Sequence, residues 1–173
     1  AGAKHVVDRD GLSLEDGIVS RANKDVERGV GVRAVTGDQV GYAFSESLDL
    51  DSMLAAAGTA ATIADDSAVA PPQKIDLVDL PDHYPVDPPW EEVGAHERLP
   101  LLQKAEAMAR DMEPAVEKVT VRWTDSDERV LIATSDGALC ADRRPMATLV
   151  CNITALKNGV RQSHRSRLAR RRG

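Results

Sequence analysis

At 173 residues with 42% hydrophobic side chains, the chain fits one domain, or one and a half, and is long enough for a real core. No apolar run nears the roughly 18 residues of a membrane helix, and no basic-then-apolar leader opens it, so a cytoplasmic protein without a membrane partner is expected. Net charge is −6, but residues 161–173 hold six of the 22 basic residues and none of the 28 acids.

From Val6 the chain reads as β structure. Gly11 to Glu15 and Ile18 to Ala22 flank Asp16-Gly17, a two-residue hairpin signal. Gly29 to Phe44, GVGVRAVTGDQVGYAF, predicts a second hairpin turning at Thr36-Gly37-Asp38-Gln39. Glycine inside a strand weakens it, so Gly29, Gly31 and Gly41 are candidate positions for a bulge or for close approach of another backbone. Twist or tight packing would place glycines there equally well. Asp49 or Asp51 can cap a following helix to about Ala64, with Leu50, Met53, Leu54, Ala57, Ala61 and Ile63 as its apolar stripe.

Residues 65–89 hold six of the nine prolines and predict an extended connector, free or pinned by Leu77, Val78, Leu80 and Val86. A second helix is expected over Glu97 to Met112, with Leu99, Leu102, Ala105, Ala109 and Met112 facing inward and Pro100 in its first turn. Strands follow at Val116 to Trp123, Arg129 to Thr134, Ala138 to Asp142 and Ala147 to Ala155, with turns at 124–127, 135–137 and 157–159. The order ββββ-α-linker-α-ββββ implies an α+β fold of antiparallel hairpins and two main helices.

Residues that carry chemistry are sparse. The four histidines, at 5, 83, 96 and 164, show no i, i+4 pair and no HExxH or HExxxH spacing. Cys140 and Cys151 lack any CxxC context and read as small core hydrophobes. Glu15-Asp16, Asp65-Asp66, Glu91-Glu92 and Asp125/Asp127 read as solvated turn acids, since sequence neighbours point apart. Asp125-Ser126-Asp127 lacks the glycine and distal Glu of a calcium loop. No glycine-rich loop leads into a helix and no G-x-S-x-G is present, so no catalytic or metal residue is assigned.

Leu14 to Ala64, with L-E-D-G-I-V, G-V-G-V-R-A and G-Y-A-F before an Ala-rich helix, resembles the N-terminal region of the TldD/PmbA family, and most closely its TldD branch. Glu128 to Arg161 agrees, through A-T-S-D-G followed by D-R-R-P. The resemblance covers about residues 5–161. It implies the non-catalytic part of a zinc metalloprotease of the type also called modulator of DNA gyrase, a cytoplasmic dimer that cleaves unfolded peptides. It further implies zinc held by an HExxxH helix in a C-terminal half, pairing with a TldE/PmbA-like or identical subunit, and an extended substrate strand that Gly29, Gly31 and Gly41 would let approach. That half is missing from this sequence, so no cofactor is expected in the chain and activity alone is not.

Two departures accompany the resemblance. The start looks truncated, and residues 163–173, SHRSRLARRRG, replace the family's glycine- and serine-rich continuation. Residues 1–162 are therefore expected to form the domain, with 163–173 a basic tail outside it, produced by a frameshift or a chain boundary. The alternative is a non-enzymatic binding or regulatory module working through that tail. The acidic body makes nucleic acid the weaker partner for it.

Overall fold

The computed structural model describes residues 1–64, 74–78, 80, 81 and 84–171. Asp65-Asp66, Asp82-His83 and just under half of the expected connector fall outside the described residues. The elements run β1 (Gly2–Glu15), β2 (Ile18–Thr36), β3 (Gln39–Ser45), α1 (Leu50–Ile63), β4 (Asp76–Val78), a 3-10 turn (Trp90–Glu92), α2 (Ala95–Met112), β5 (Val116–Ala133), β6 (Ala138–Lys157) and β7 (Val160–Arg170). Hydrogen-bonded neighbours follow the order β3-β2-β1-β5-β6-β4, with β7 also pairing β6. β2–β3 and β6–β7 are antiparallel, while the short β4 runs parallel to β6. The chain is α+β, as expected, with strands before and after two main helices.

The strands are longer than their sequence suggests. Ile18 to Ala22 and Gly29 to Thr36 belong to one strand, β2, because the polar run between them stays extended with every residue exposed. In the same way the expected turn at 124–127 lies inside β5, and the gap before Ala147 lies inside β6. Residues 163–170, expected outside the fold, form most of β7. That strand pairs with β6 from Lys157↔Val160 to Ala147↔Arg170, across a turn in which Asn158 (φ 53°) and Gly159 (φ 76°) take left-handed conformations.

The chain divides into two compact units. Residues 8–25, 84–127 and 145–173 make up one of them. Its core joins Leu12 and Leu14 of β1 and Val119 and Val121 of β5 to Leu102 and Ala109 of α2, with Leu149, Cys151 and Ile153 of β6 beside them. Val86, Trp90 and Ala147 form a second cluster touching Trp123. Cys140 and Cys151 are free thiols, both half-buried.

In this unit the helix carries charge into the core. Its buried stripe is Arg98, Leu102, Glu106 and Ala109, whereas Met112 is exposed. Arg98 is 6% exposed and reaches Asp10 Oδ2 (3.1 Å), Asp125 Oδ2 (3.1 Å) and the Trp90 carbonyl (3.0 Å). The Trp123 indole N–H donates to Asp125 at 2.6 Å. Asp125 and Asp127 are thus buried rather than solvated, because β5 continues through them and alternation turns Asp125 to the side of Val121 and Trp123. Glu106 accepts from the Gly17 N–H (3.0 Å) and Arg110, and Asp16 Oδ1 accepts from the Val119 N–H (3.0 Å), so the β1–β2 turn is seated against α2 and β5. α2 starts two residues before the expected Glu97, which moves Pro100 out of the first turn.

The other unit comprises residues 1–7, 26–83 and 128–144. There α1 packs on β3. Asp49 caps the helix, its carboxylate accepting from the Ser52 N–H (2.8 Å) and from the Ser47 and Ser52 hydroxyls. Those bonds hold its pKa down to about 2. The buried side of α1 is alanine: Ala56, Ala60 and Ala64, with Met53, Ala57 and Ala61 half-buried. Leu50, Leu54 and Ile63, expected inward, are exposed. Only small residues let the helix backbone sit this close to β3.

Candidate functional site: the β2–β3 hairpin face

The register Gly31↔Phe44, Arg33↔Tyr42, Ala34↔Gly41 and Val35↔Val40 sorts the hairpin into two faces. Val30, Val32, Ala34, Gly41 and Ala43 share one face, Val30 and Gly41 being buried. Gly41 lies directly beneath α1. A Cβ there would stand 1.8 Å from the Ala60 carbonyl oxygen and 2.9 Å from the Ala64 nitrogen. Gly41 is therefore where the helix backbone touches the sheet.

The second face carries Gly29, Gly31, Arg33, Val35, Val40, Tyr42 and Phe44. Tyr42 is 59% and Phe44 71% exposed, in a chain with only five aromatic residues. A Cβ on Gly31 would meet the Tyr42 hydroxyl at 2.7 Å, and one on Gly29 the Ser45 carbonyl oxygen at 3.1 Å. Tyr42 thus leans across bare backbone. An open groove of about 790 Å³ runs over these residues, bordered by His5, Arg28 and Ile132. The Ala1 ammonium is tied to the Arg33 carbonyl at 2.8 Å, and the Arg33 N–H returns a bond to the Ala1 carbonyl at 2.7 Å.

β3 ends the hydrogen-bonded order, with β2 its one strand partner among the described residues. The three glycines singled out in the sequence are thus brought into one hairpin but split between two roles. Gly29 and Gly31 floor the groove, and Gly41 seats α1. The exposed aromatic pair was missed, although the alternation of Val40, Tyr42 and Phe44 opposite Gly31 and Arg33 already placed it on the glycine face.

No group of three His, Cys, Asp or Glu side chains among the described residues is placed to hold a metal. Zinc has no fitting donor set in these residues, and no hydrolytic step is derived from them.

The PmbA/TldA metallopeptidase domain 1 model matches residues 6–64, and the PmbA/TldA metallopeptidase central domain model matches residues 88–173. The chain belongs to the TldD/PmbA metallopeptidase family. A metalloprotease TldD homolog of Haemophilus influenzae is 32% identical over 151 residues, covering 86% of this chain and 31% of the relative. A TldD homolog of Buchnera aphidicola from Acyrthosiphon pisum is 29% identical, covering 88% and 32%. The chain therefore spans about a third of the length of the curated relatives it matches. A Thermotoga maritima crystal structure named for a modulator of a DNA gyrase superposes with TM-score 0.76 at 13% identity, over 99% of this chain and 39% of that one. TldE from Thermococcus kodakarensis gives 0.69 at 19% identity, over 98% and 39%. At such identities these two structures bear on the fold alone.

Among the described residues no helix is long and apolar enough to cross a membrane.

Proposed function

We propose that these residues form the non-catalytic part of a TldD-like zinc metalloprotease, where they enclose an unfolded peptide and contribute to pairing with a TldE/PmbA-like or identical subunit in the cytoplasm. The observation that carries this reading is the hairpin face. Its open-edged strand β3 sets exposed Tyr42 and Phe44 on the face that also carries buried Gly29 and half-buried Gly31. An extended peptide bound there gains main-chain hydrogen bonds from the edge, which do not depend on its sequence, and apolar contact from the aromatic rings. Zinc and the chemistry of cleavage are assigned to sequence beyond this segment, following the family. The exposed Leu50 and Leu54 on one flank of α1 support a pairing role.

The test is a chimera in which this segment replaces its counterpart in the Haemophilus influenzae TldD homolog, assayed for zinc-dependent cleavage of an unfolded peptide with the matching partner subunit. The chimera is expected to cleave. Tyr42→Ala with Phe44→Ala is expected to raise KM about tenfold with kcat little changed, as for lost ground-state binding. An unchanged KM in the double variant would remove the hairpin face from substrate binding.

A further inference from the structure

β7 lies outside the hairpin face, and its features are unusual for a strand. All eleven residues, Val160–Arg170, are exposed, so β7 is held by its backbone pairing to β6 and buries almost nothing of its own. Its other edge has no strand partner among the described residues. Alternation puts Arg161, Ser163, Arg165, Arg167 and Ala169 on one side and Gln162, His164, Ser166, Leu168 and Arg170 on the other.

Of the arginines on the first side, Arg161 is occupied. Its guanidinium forks onto the Glu117 carboxylate, Nε to Oε2 at 3.1 Å and the terminal nitrogen to Oε2 and Oε1 at 2.9 and 3.1 Å. Arg165 and Arg167 stand opposite Asn152 and Val150 of β6, neither of which offers a carboxylate. No ion pair engages either guanidinium among the described residues. At the i, i+2 interval of a strand they are about 7 Å apart, the spacing of alternate side chains on any strand laid alongside.

We propose that β7 is a docking strand for an acidic extended peptide segment, which adds to its open edge and sets alternate carboxylates against Arg165 and Arg167. The Arg161–Glu117 fork shows the chemistry within the molecule: a guanidinium on β7 reaches across β6 and holds a β5 carboxylate in planar, two-oxygen geometry. The backbone edge supplies affinity that side-chain charge alone does not, and the arginine interval supplies the preference for acids. A nucleic acid would answer the charge but leave the edge unused, which is why a peptide strand fits better. This proposal is independent of the hairpin face, since it concerns other residues in the other unit.

The experiment uses the full chain and three probes: a capped peptide of about ten alternating Glu and Thr residues, its Gln-for-Glu counterpart, and a single-stranded oligothymidylate of matching charge. Binding is read by fluorescence anisotropy at low and physiological salt, and the contact by amide hydrogen exchange. The acidic peptide is expected to bind, to slow exchange across residues 161–170, and to bind about tenfold more weakly after Arg165→Gln with Arg167→Gln. Both side chains are exposed, so that variant should keep the wild-type circular dichroism, and its folding is checked that way. Equal binding of the Gln peptide, tighter binding of the oligothymidylate, or acidic-peptide binding without protection of β7 amides would each overturn the proposal.

Discussion

Glycines 31 and 41 lie on opposite faces of one hairpin, and a side chain at each would meet a different obstacle. At Gly41 the obstacle is the backbone of α1, which cannot swing aside. Gly41→Val is expected to lift the helix from β3 and cost about 3 kcal/mol in urea unfolding, at the upper end for an overpacked core. At Gly31 the obstacle is the tip of the Tyr42 side chain, which can rotate away. Gly31→Val is expected to cost less than about 1 kcal/mol, because valine suits a strand, while narrowing the groove. Equal losses in the two variants would contradict the division of roles.

Arg98 is the other residue on which much depends. It separates the carboxylates of Asp10 and Asp125 inside a packed unit. Removing one partner of a buried charge group leaves the others uncompensated, so Arg98→Ala is expected to cost about 3–5 kcal/mol. Asp125→Asn should behave differently. Burial, the largest influence, raises the Asp125 pKa, against the lowering effects of the Trp123 indole N–H and the Arg98 charge. For an acid whose folded pKa is raised, the linked stability is present below the ordinary carboxylate value and lost as pH rises through the folded value. Asparagine escapes that loss and still accepts from Trp123. The melting temperature of Asp125→Asn relative to wild type is therefore expected to climb between acid and neutral pH. A relative fall would show that the Arg98 attraction outweighs burial.

At the scale of elements, α1 depends on its cap. The Asp49 pKa is lowered from 3.8 to about 2 by the Ser47 hydroxyl first and then the Ser52 N–H and hydroxyl. A depressed acid gives stability that is present above its unfolded pKa and lost as pH falls through the folded one. Wild type should therefore lose an increment of thermal stability between about pH 4 and pH 2. Asp49→Ala should lack that increment throughout, so the two melting curves converge at the acid end. A gap that persists at pH 2 would mean that the cap does not depend on the ionised carboxylate. The cap, the Asp16-Gly17 turn and the 36–39 hairpin were all legible, because each depends on local chemistry that a few residues carry. Strand length was not. Polar runs such as Asn23 to Arg28 look like breaks, yet exposed strand residues need no apolar alternation when neighbouring strands satisfy their backbone. β7 escaped notice for the same reason, since its pairing buries no side chain and leaves no hydrophobic pattern. The buried Arg98, Glu106 and Asp125 escaped because their partners are far apart in sequence, and only the fold neutralises them. In α1 the larger apolar residues drew the eye, while the Gly41 contact admitted only alanine.

For the molecule as a whole, the decisive question is where the metal chemistry of the family resides. The segment supplies strands, two helices and a groove, but no metal-binding group of three His, Cys, Asp or Glu side chains among the described residues. A ligand that binds only the folded state raises its stability by RT ln(1 + [L]/Kd), so a zinc site of micromolar or better affinity would raise the melting temperature measurably at about 100 μM zinc. The 173-residue chain is expected to melt at the same temperature with zinc or with a chelator. The chimera carrying the remaining two thirds of the Haemophilus influenzae relative is expected to gain stability with zinc and lose peptide cleavage with chelator. These outcomes separate the scaffold from the chemistry. If zinc instead stabilised the short chain, and His5→Ala or His96→Ala abolished the effect, the metal would have a site within this segment, and its assignment to sequence beyond would be wrong.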